Sequence, residues 1–129
     1  MRILIAEDDI TSRRFLSKAL SQYGECDLVI DGMEALDAYL ISVKDKEPYD
    51  VICLDIMMPR VDGIKVLKAI RDFEKKRGIP PEKTVKIIMI TALVDDKYAK
   101  MAQELGCEAY VYKPIDIDKL VGIIDGLKI

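Results

Sequence analysis

The chain has 129 residues, of which 50% are hydrophobic and 33% charged, the balance of one globular domain with a real core rather than a disordered segment. Its net charge of −3, with no concentrated basic stripe, argues against broad nucleic-acid affinity. Histidine is absent, which excludes any triad needing His and any His-bound metal, so a metal here would sit among oxygen ligands. The three cysteines, Cys26, Cys53 and Cys107, are widely spaced without a CxxC pair and read as reduced, packed thiols. No apolar run approaches the ~20 residues that span a bilayer. The amino terminus, MRILIAEDD, has too short an apolar run, followed too soon by acids, for a signal peptide. A cytoplasmic protein without membrane insertion is expected.

In chain order, Arg2 to Ala6 reads as a buried strand followed at once by Glu7, Asp8 and Asp9. From about Ile10 to Tyr23 apolar residues recur at helical spacing, and Gly24 closes that helix. Asp27 to Ile30 is a second strand, and Met33 to Leu40 marks a second helix. Val51 to Leu54 is a short apolar run without helical periodicity, a strand buried on both faces, ended by Asp55 and soon by Pro59. A helix follows Gly63 with Ile64, Val66, Leu67, Ile70 and Phe73 on its inner face. It closes on Lys75, Lys76 and Arg77 before Gly78, charges that suit a helix C-terminus. A polar, proline-bearing loop, Gly78 to Thr84, leads into a strand from Val85 to Ile90 that ends at Thr91. Tyr98 to Leu105 is helical. Ala109 to Tyr112 is the last strand, before Lys113 and Pro114, and Ile115 to Leu127 the last helix.

Five βα units without repeat or linker predict an α/β fold, a parallel sheet covered on both faces through right-handed crossovers. Open sheets of this kind bind ligands beyond the carboxyl ends of their strands. Those ends carry Glu7 and Asp8, then Asp55, Thr91 and Lys113. Singly, each has an ordinary use: the acids as helix starters, Asp55 as a strand-terminating cap, Thr91 as an N-cap, Lys113 as a solvated cation. Their gathering at one sheet edge is harder to dismiss. Three carboxylates within a few ångströms repel one another by roughly 4 kcal/mol per pair at an effective dielectric near 20. An all-oxygen acidic cluster selects Mg²⁺, which keeps several waters and completes its shell with phosphate oxygens. With Lys113 as a point charge and Thr91 as a hydroxyl donor, the set suits phosphoryl transfer onto a carboxylate.

At these motifs, ILIAEDD, LDIMMPRVDG, IIMITA and YVYKPI, the sequence resembles the receiver domain of two-component response regulators, the CheY-like family, over essentially its whole length. The resemblance implies one receiver domain over residues 1–129, without an output domain, and a doubly wound (βα)5 sheet. Its strand order, 2-1-3-4-5, is the one established for this fold. It implies that Asp55 is the phosphoacceptor and that Asp8, Asp55 and the Met57 carbonyl hold Mg²⁺, with Glu7 acting through water. Asp9 is then the extra acid. Thr91 and Lys113 match the residues that engage the phosphoryl oxygens, and Lys113-Pro114 matches a bond that is cis in the family. Thr91 and Tyr110 match its switch pair. A sensor histidine kinase or a histidine phosphotransfer protein is the implied donor, and a protein target on the helix 4, strand 5, helix 5 face the implied reader. The chain is expected to be a phosphoacceptor that assists its own phosphorylation and dephosphorylation rather than an enzyme.

A relay intermediate, or a receiver cut from a larger regulator, fits the same motifs. Two other classes fit poorly. A haloacid-dehalogenase-type phosphatase needs a second Asp two residues after its nucleophile, where this chain has Met57. A flavodoxin-like cofactor binder places phosphate beyond strand 1, where Glu7, Asp8 and Asp9 repel it. The loop from Gly78 to Thr84 is longer than in the shortest family members. Met57 and Leu93 flank the route of an attacking water and cannot orient it, so slow self-dephosphorylation is expected.

Overall fold

The computed structural model describes residues 1–127 and 129. Five strands, β1 (Arg2–Ala6), β2 (Glu25–Val29), β3 (Val51–Leu54), β4 (Lys86–Thr91) and β5 (Ala109–Tyr112), alternate with five helices. The helices are α1 (Ile10–Leu20), α2 (Gly32–Lys44), α3 (Gly63–Lys76), α4 (Asp96–Leu105) and α5 (Ile117–Gly126). The strands pair in parallel in the order β2-β1-β3-β4-β5. Burial follows position in the sheet. β3 is buried throughout, and β1 and β4 at all but their first residue. The outer strands β2 and β5 keep partly or fully exposed residues. Continuous apolar runs mark central parallel strands because helices cover both faces.

One face packs Leu4, Ile52, Leu54, Ile87 and Met89 against α2, α3 and α4. The other packs Ile3, Ile5, Cys53, Ile88 and Val111 against Leu16 and Leu20 of α1 and Leu120 and Ile124 of α5. Successive strand residues thus feed opposite cores. All three cysteines are free, and no helix is long and apolar enough to cross a membrane among the described residues.

Every helix starts on an aspartate: Asp9, Asp31, Asp62, Asp95 and Asp116 each accept a backbone N–H of the first turn. Such caps satisfy donors that the helix itself leaves free. They also account for the boundaries that differ from the sequence pattern. α4 begins at Asp96 rather than Tyr98 and α5 at Ile117 rather than Ile115, each set by the preceding Asp. α1 ends at Leu20, capped by Ser21. Gly24 therefore does not close it; a Cβ there would collide with the Met1 carbonyl, and β2 starts one residue later.

Between α3 and β4 the loop forms a short 3-10 turn, Pro81–Lys83. It is tied down by Glu74, whose Oε2 accepts the Val85 N–H at 2.8 Å.

Candidate functional site

The register of the sheet assembles the site. Ala6 pairs with Leu54, so the residues after them, Glu7 and Asp8 on one strand and Asp55 on the other, leave the sheet side by side. The Asp55 N–H bonds the Ala6 carbonyl at 3.1 Å, and the Glu7 N–H bonds Val29 at 3.1 Å. On the other side, Thr91 closes β4, and its carbonyl accepts the Lys113 N–H at 2.8 Å. Gly63, at the start of α3, lets that helix close on β3, because a Cβ there would strike the Asp55 carbonyl. The Lys113-Pro114 bond is cis.

Oxygen atoms of Glu7, Asp8 and Asp55 all lie within 4.8 Å of one another. Glu7 and Asp55 are buried, while Asp8 is exposed to solvent. Lys113 Nζ lies 2.9 Å from Asp55 Oδ2 and 2.5 Å from Glu7 Oε1. The first is a hydrogen bond. The second is a charge contact that lacks hydrogen-bond direction, and Glu7 Oε1 has no hydrogen-bond partner among the described residues. The remaining carboxylate oxygens take backbone donors: Asp9 N–H to Glu7 Oε2 at 3.1 Å and Met57 N–H to Asp55 Oδ1 at 3.1 Å.

Burial pushes the Glu7 carboxyl up to about 7; Lys113 pulls against it, and neighbouring Asp55 adds to the rise. Lys113 is itself held above the ordinary lysine range. Burial pulls it down, but Glu7 and Asp55 together outweigh that pull. Two buried acids share one ammonium, so negative charge is left in excess. The donors present are carboxylate oxygens without histidine or thiolate, a set that fits Mg²⁺ rather than zinc or copper. Glu7 Oε1, in contact with Lys113 but without a directed hydrogen bond among the described residues, has acceptor capacity left for a water-borne donor.

Other residues singled out from the sequence fall as follows. Thr91 is fully buried, and its Oγ1 accepts the Leu93 N–H at 3.1 Å; the cap of α4 is Asp95, not Thr91. Asp9 stands apart from the acidic trio and caps α1 through Ser12 N–H at 2.9 Å. The side chain of Met57 is exposed and, with Leu93, Tyr98 and Asp8, lines an apolar cleft at the mouth of the site. Tyr110 is half-buried on the α3–α4 side, edge-on to Tyr112 with ring centroids 5.3 Å apart. Its hydroxyl is buried without a hydrogen-bond partner among the described residues, and burial above all pushes it up to about 12.

Arg13 was not marked as a site residue by sequence pattern. Its guanidinium donates to the carbonyls of Glu7 at 3.0 Å and Asp8 at 3.3 Å, fixing the backbone that carries the acids. An arginine one helical turn past an acidic strand end is the only signal it leaves.

With fold and site in view, comparison with known proteins is unambiguous. The model of the response regulator receiver domain matches residues 3–125, and the chain belongs to that family. It is 31% identical over 127 residues to the chemotaxis protein CheY of Treponema pallidum, covering 93% of this chain and 77% of that one. Other curated relatives are longer, and the chain spans only 54%, 48% and 23% of three of them. Among solved structures, it superposes on the CheX-CheY-BeF3-Mg²⁺ complex of Borrelia burgdorferi with a TM-score of 0.81 and 28% identity, over 96% of this chain and 86% of that one. It also superposes on the complex of the Saccharomyces cerevisiae phosphotransfer protein Ypd1 with the receiver domain of Ssk1, at 0.78 and 28%, over 94% and 83%. The expected strand order is the one found.

Proposed function

We propose that this receiver domain accepts a phosphoryl group on Asp55 from a phosphohistidine of a sensor kinase or phosphotransfer protein. A carboxylate oxygen of Asp55 attacks phosphorus, the P–N bond breaks, and the imidazole nitrogen leaves with the electron pair and is reprotonated. Asp8, Asp55 and the Met57 carbonyl would hold Mg²⁺, with Glu7 reached through water. When bound, that ion supplies positive charge opposite the transferred oxygens. Lys113 supplies the second cation and Thr91 a hydroxyl. The observation that carries this reading is one ammonium in contact with two buried carboxylates at a parallel-sheet edge.

Added charge at Asp55 draws Thr91 inward and resets Tyr110, so the α4-β5-α5 face is what a protein target reads. A change from ~1% to ~99% active requires about 5.5 kcal/mol of preference for the active form. The chain acts as a switch that assists its own phosphorylation and dephosphorylation. A relay role is a second reading, supported by the likeness to a receiver solved with the phosphotransfer protein Ypd1.

Intact mass after incubation with a small phosphodonor and Mg²⁺ tests both. The protein gains one phosphoryl group, Asp55→Asn gains none, and Asp9→Asn keeps most of the gain. Uptake by Asp55→Asn equal to that of the parent refutes the assignment. Passage of the label to a histidine phosphotransfer protein favours the relay.

A further inference from the structure

At the opposite pole of the sheet, beneath the loop that joins α3 to β4, lies a cleft of about 180 Å³. Its walls include Tyr39 and Val43 of α2, Pro48 and Tyr49 before β3, and Ile79 and Lys83 of the loop; Glu74 also lines it. The Glu74 side chain is only 3% exposed. Its Oε1 takes Arg71 Nη1 at 2.6 Å and its Oε2 the Val85 N–H at 2.8 Å. A carboxylate offers about four acceptor positions, and these bonds use two of them. Arg71 also pairs with Glu108 at 3.0 Å. One guanidinium therefore serves two carboxylates, and the cluster is formally −1.

We propose that this cleft binds a small organic molecule with one ring and a neutral hydrogen-bond donor, the ring against Tyr39, Tyr49 and Pro48 and the donor on Glu74. Size decides the first part. The cleft is comparable to cavities that take benzene and too small for the ~300 Å³ or more that larger ligands occupy, so a nucleotide is excluded. Chemistry decides the second. A buried carboxylate with open acceptor positions gains from a donor that replaces lost water. A ligand carboxylate or phosphate placed there would face excess negative charge. A cation meets Lys83, which lines the same cleft. Burial and the Glu74 charge hold the Tyr39 hydroxyl above the usual phenol range, so it stays a neutral wall.

The site involves none of the residues around Asp55, so it stands or falls separately from the phosphoacceptor assignment. The test is a titration of the full chain, and of its Asp55→Asn form, with phenol, toluene and benzoate, followed by amide and methyl chemical shifts. Phenol is expected to give saturable shifts at Val43, Ile79 and Val85 in both forms. Toluene should bind more weakly, and benzoate at least about tenfold more weakly than phenol. Ile79→Trp, which fills the cleft from the loop and keeps the Glu74 side chain and the Ile79 N–H bond to the Glu74 carbonyl, should abolish the shifts while leaving phosphoryl uptake intact. Absence of saturable shifts with phenol overturns the proposal. So does benzoate binding as well as phenol, or phenol shifts that survive in a folded Ile79→Trp protein.

Discussion

Lys113 Nζ sits 2.9 Å from Asp55 Oδ2 although the residues are 58 apart in sequence. The contact arises because the strands preceding them end at the same sheet edge, with Thr91 between. In the absence of an ion the ammonium is the counter-charge for both buried acids. Lys113→Met should therefore destabilise the ion-free protein by about 3 kcal/mol, the cost of leaving buried charge unpaired, and Mg²⁺ should restore part of it. Urea denaturation with EDTA and with Mg²⁺ measures both. Equal midpoints for parent and variant in EDTA would show that the pair is not structural.

Glu7 predicts a pH dependence. Its carboxyl stands at about 7 in the folded ion-free protein, above the ordinary value of about 4.3 that it regains on unfolding. Over that interval the folded state binds more protons than the unfolded one, so stability falls as pH rises. The contribution is complete below the unfolded value and is lost through the folded one. Between about pH 6 and about pH 8 the ion-free protein should lose about 1 kcal/mol. No histidine titrates in that range. Urea midpoints in EDTA across it read the effect, and a midpoint that rises with pH contradicts it. Glu7→Gln should flatten the profile.

Asp9 separates a helix cap from the acids of the proposed site. It caps α1 and lies outside the acidic trio. Asp9→Ala should lower stability through the lost cap, with phosphoryl uptake preserved. A variant that folds with the parent's midpoint, or one that folds and takes up no phosphoryl group, would contradict this assignment.

Much of this was legible in the sequence, for reasons particular residues make plain. The unbroken run Val51 to Leu54 reads as a doubly covered strand and is one, and β5 appears at its expected bounds. Ends were less legible where two signals competed. Gly24 looked like a helix stop, but it is a close-approach residue against Met1. The caps Asp95 and Asp116 set helix starts that apolar spacing alone misplaced by two residues. Pairwise distance is invisible to pattern. Residue type and spacing alone do not separate Asp8, which faces the site, from Asp9, which turns back to Ser12; only the family resemblance makes Asp9 the extra acid. Nor does it reveal that Arg13 holds the carbonyls of Glu7 and Asp8.

The mouth of the site bears on how long the proposed phosphoryl group on Asp55 would last. Met57 is 58% exposed and shares its cleft with Leu93 and Tyr98. Met57 and Leu93 are apolar and offer no hydrogen bond to orient water. The acyl phosphate should persist for minutes or longer, and Met57→Asn should accelerate its loss at least about tenfold by giving water an oriented partner. Intact mass against time after removal of the donor measures this. A lifetime of seconds in the parent protein sinks the argument.

Arg71 tests the pole opposite Asp55. Its guanidinium donates to the Val85 carbonyl at 2.9 Å, to the Gly106 carbonyl at 2.9 and 3.1 Å, and to Glu74 and Glu108. These contacts join α3 to the start of β4 and to the end of α4. Glu108 in turn accepts the Ile87 N–H at 2.6 Å. Arg71→Met removes the only cation paired with Glu74 among the described residues and leaves that carboxylate buried, at a cost of about 3–5 kcal/mol. Arg71→Lys should recover only a minor part, because a single ammonium cannot reproduce the planar fork. Double substitution of Arg71→Met with Glu74→Met should be less damaging than Arg71→Met alone, since no uncompensated charge remains at that position. Urea midpoints of the three variants decide the matter, and a double variant no more stable than Arg71→Met would mean that the carbonyl bonds, rather than the ion pair, hold this pole together.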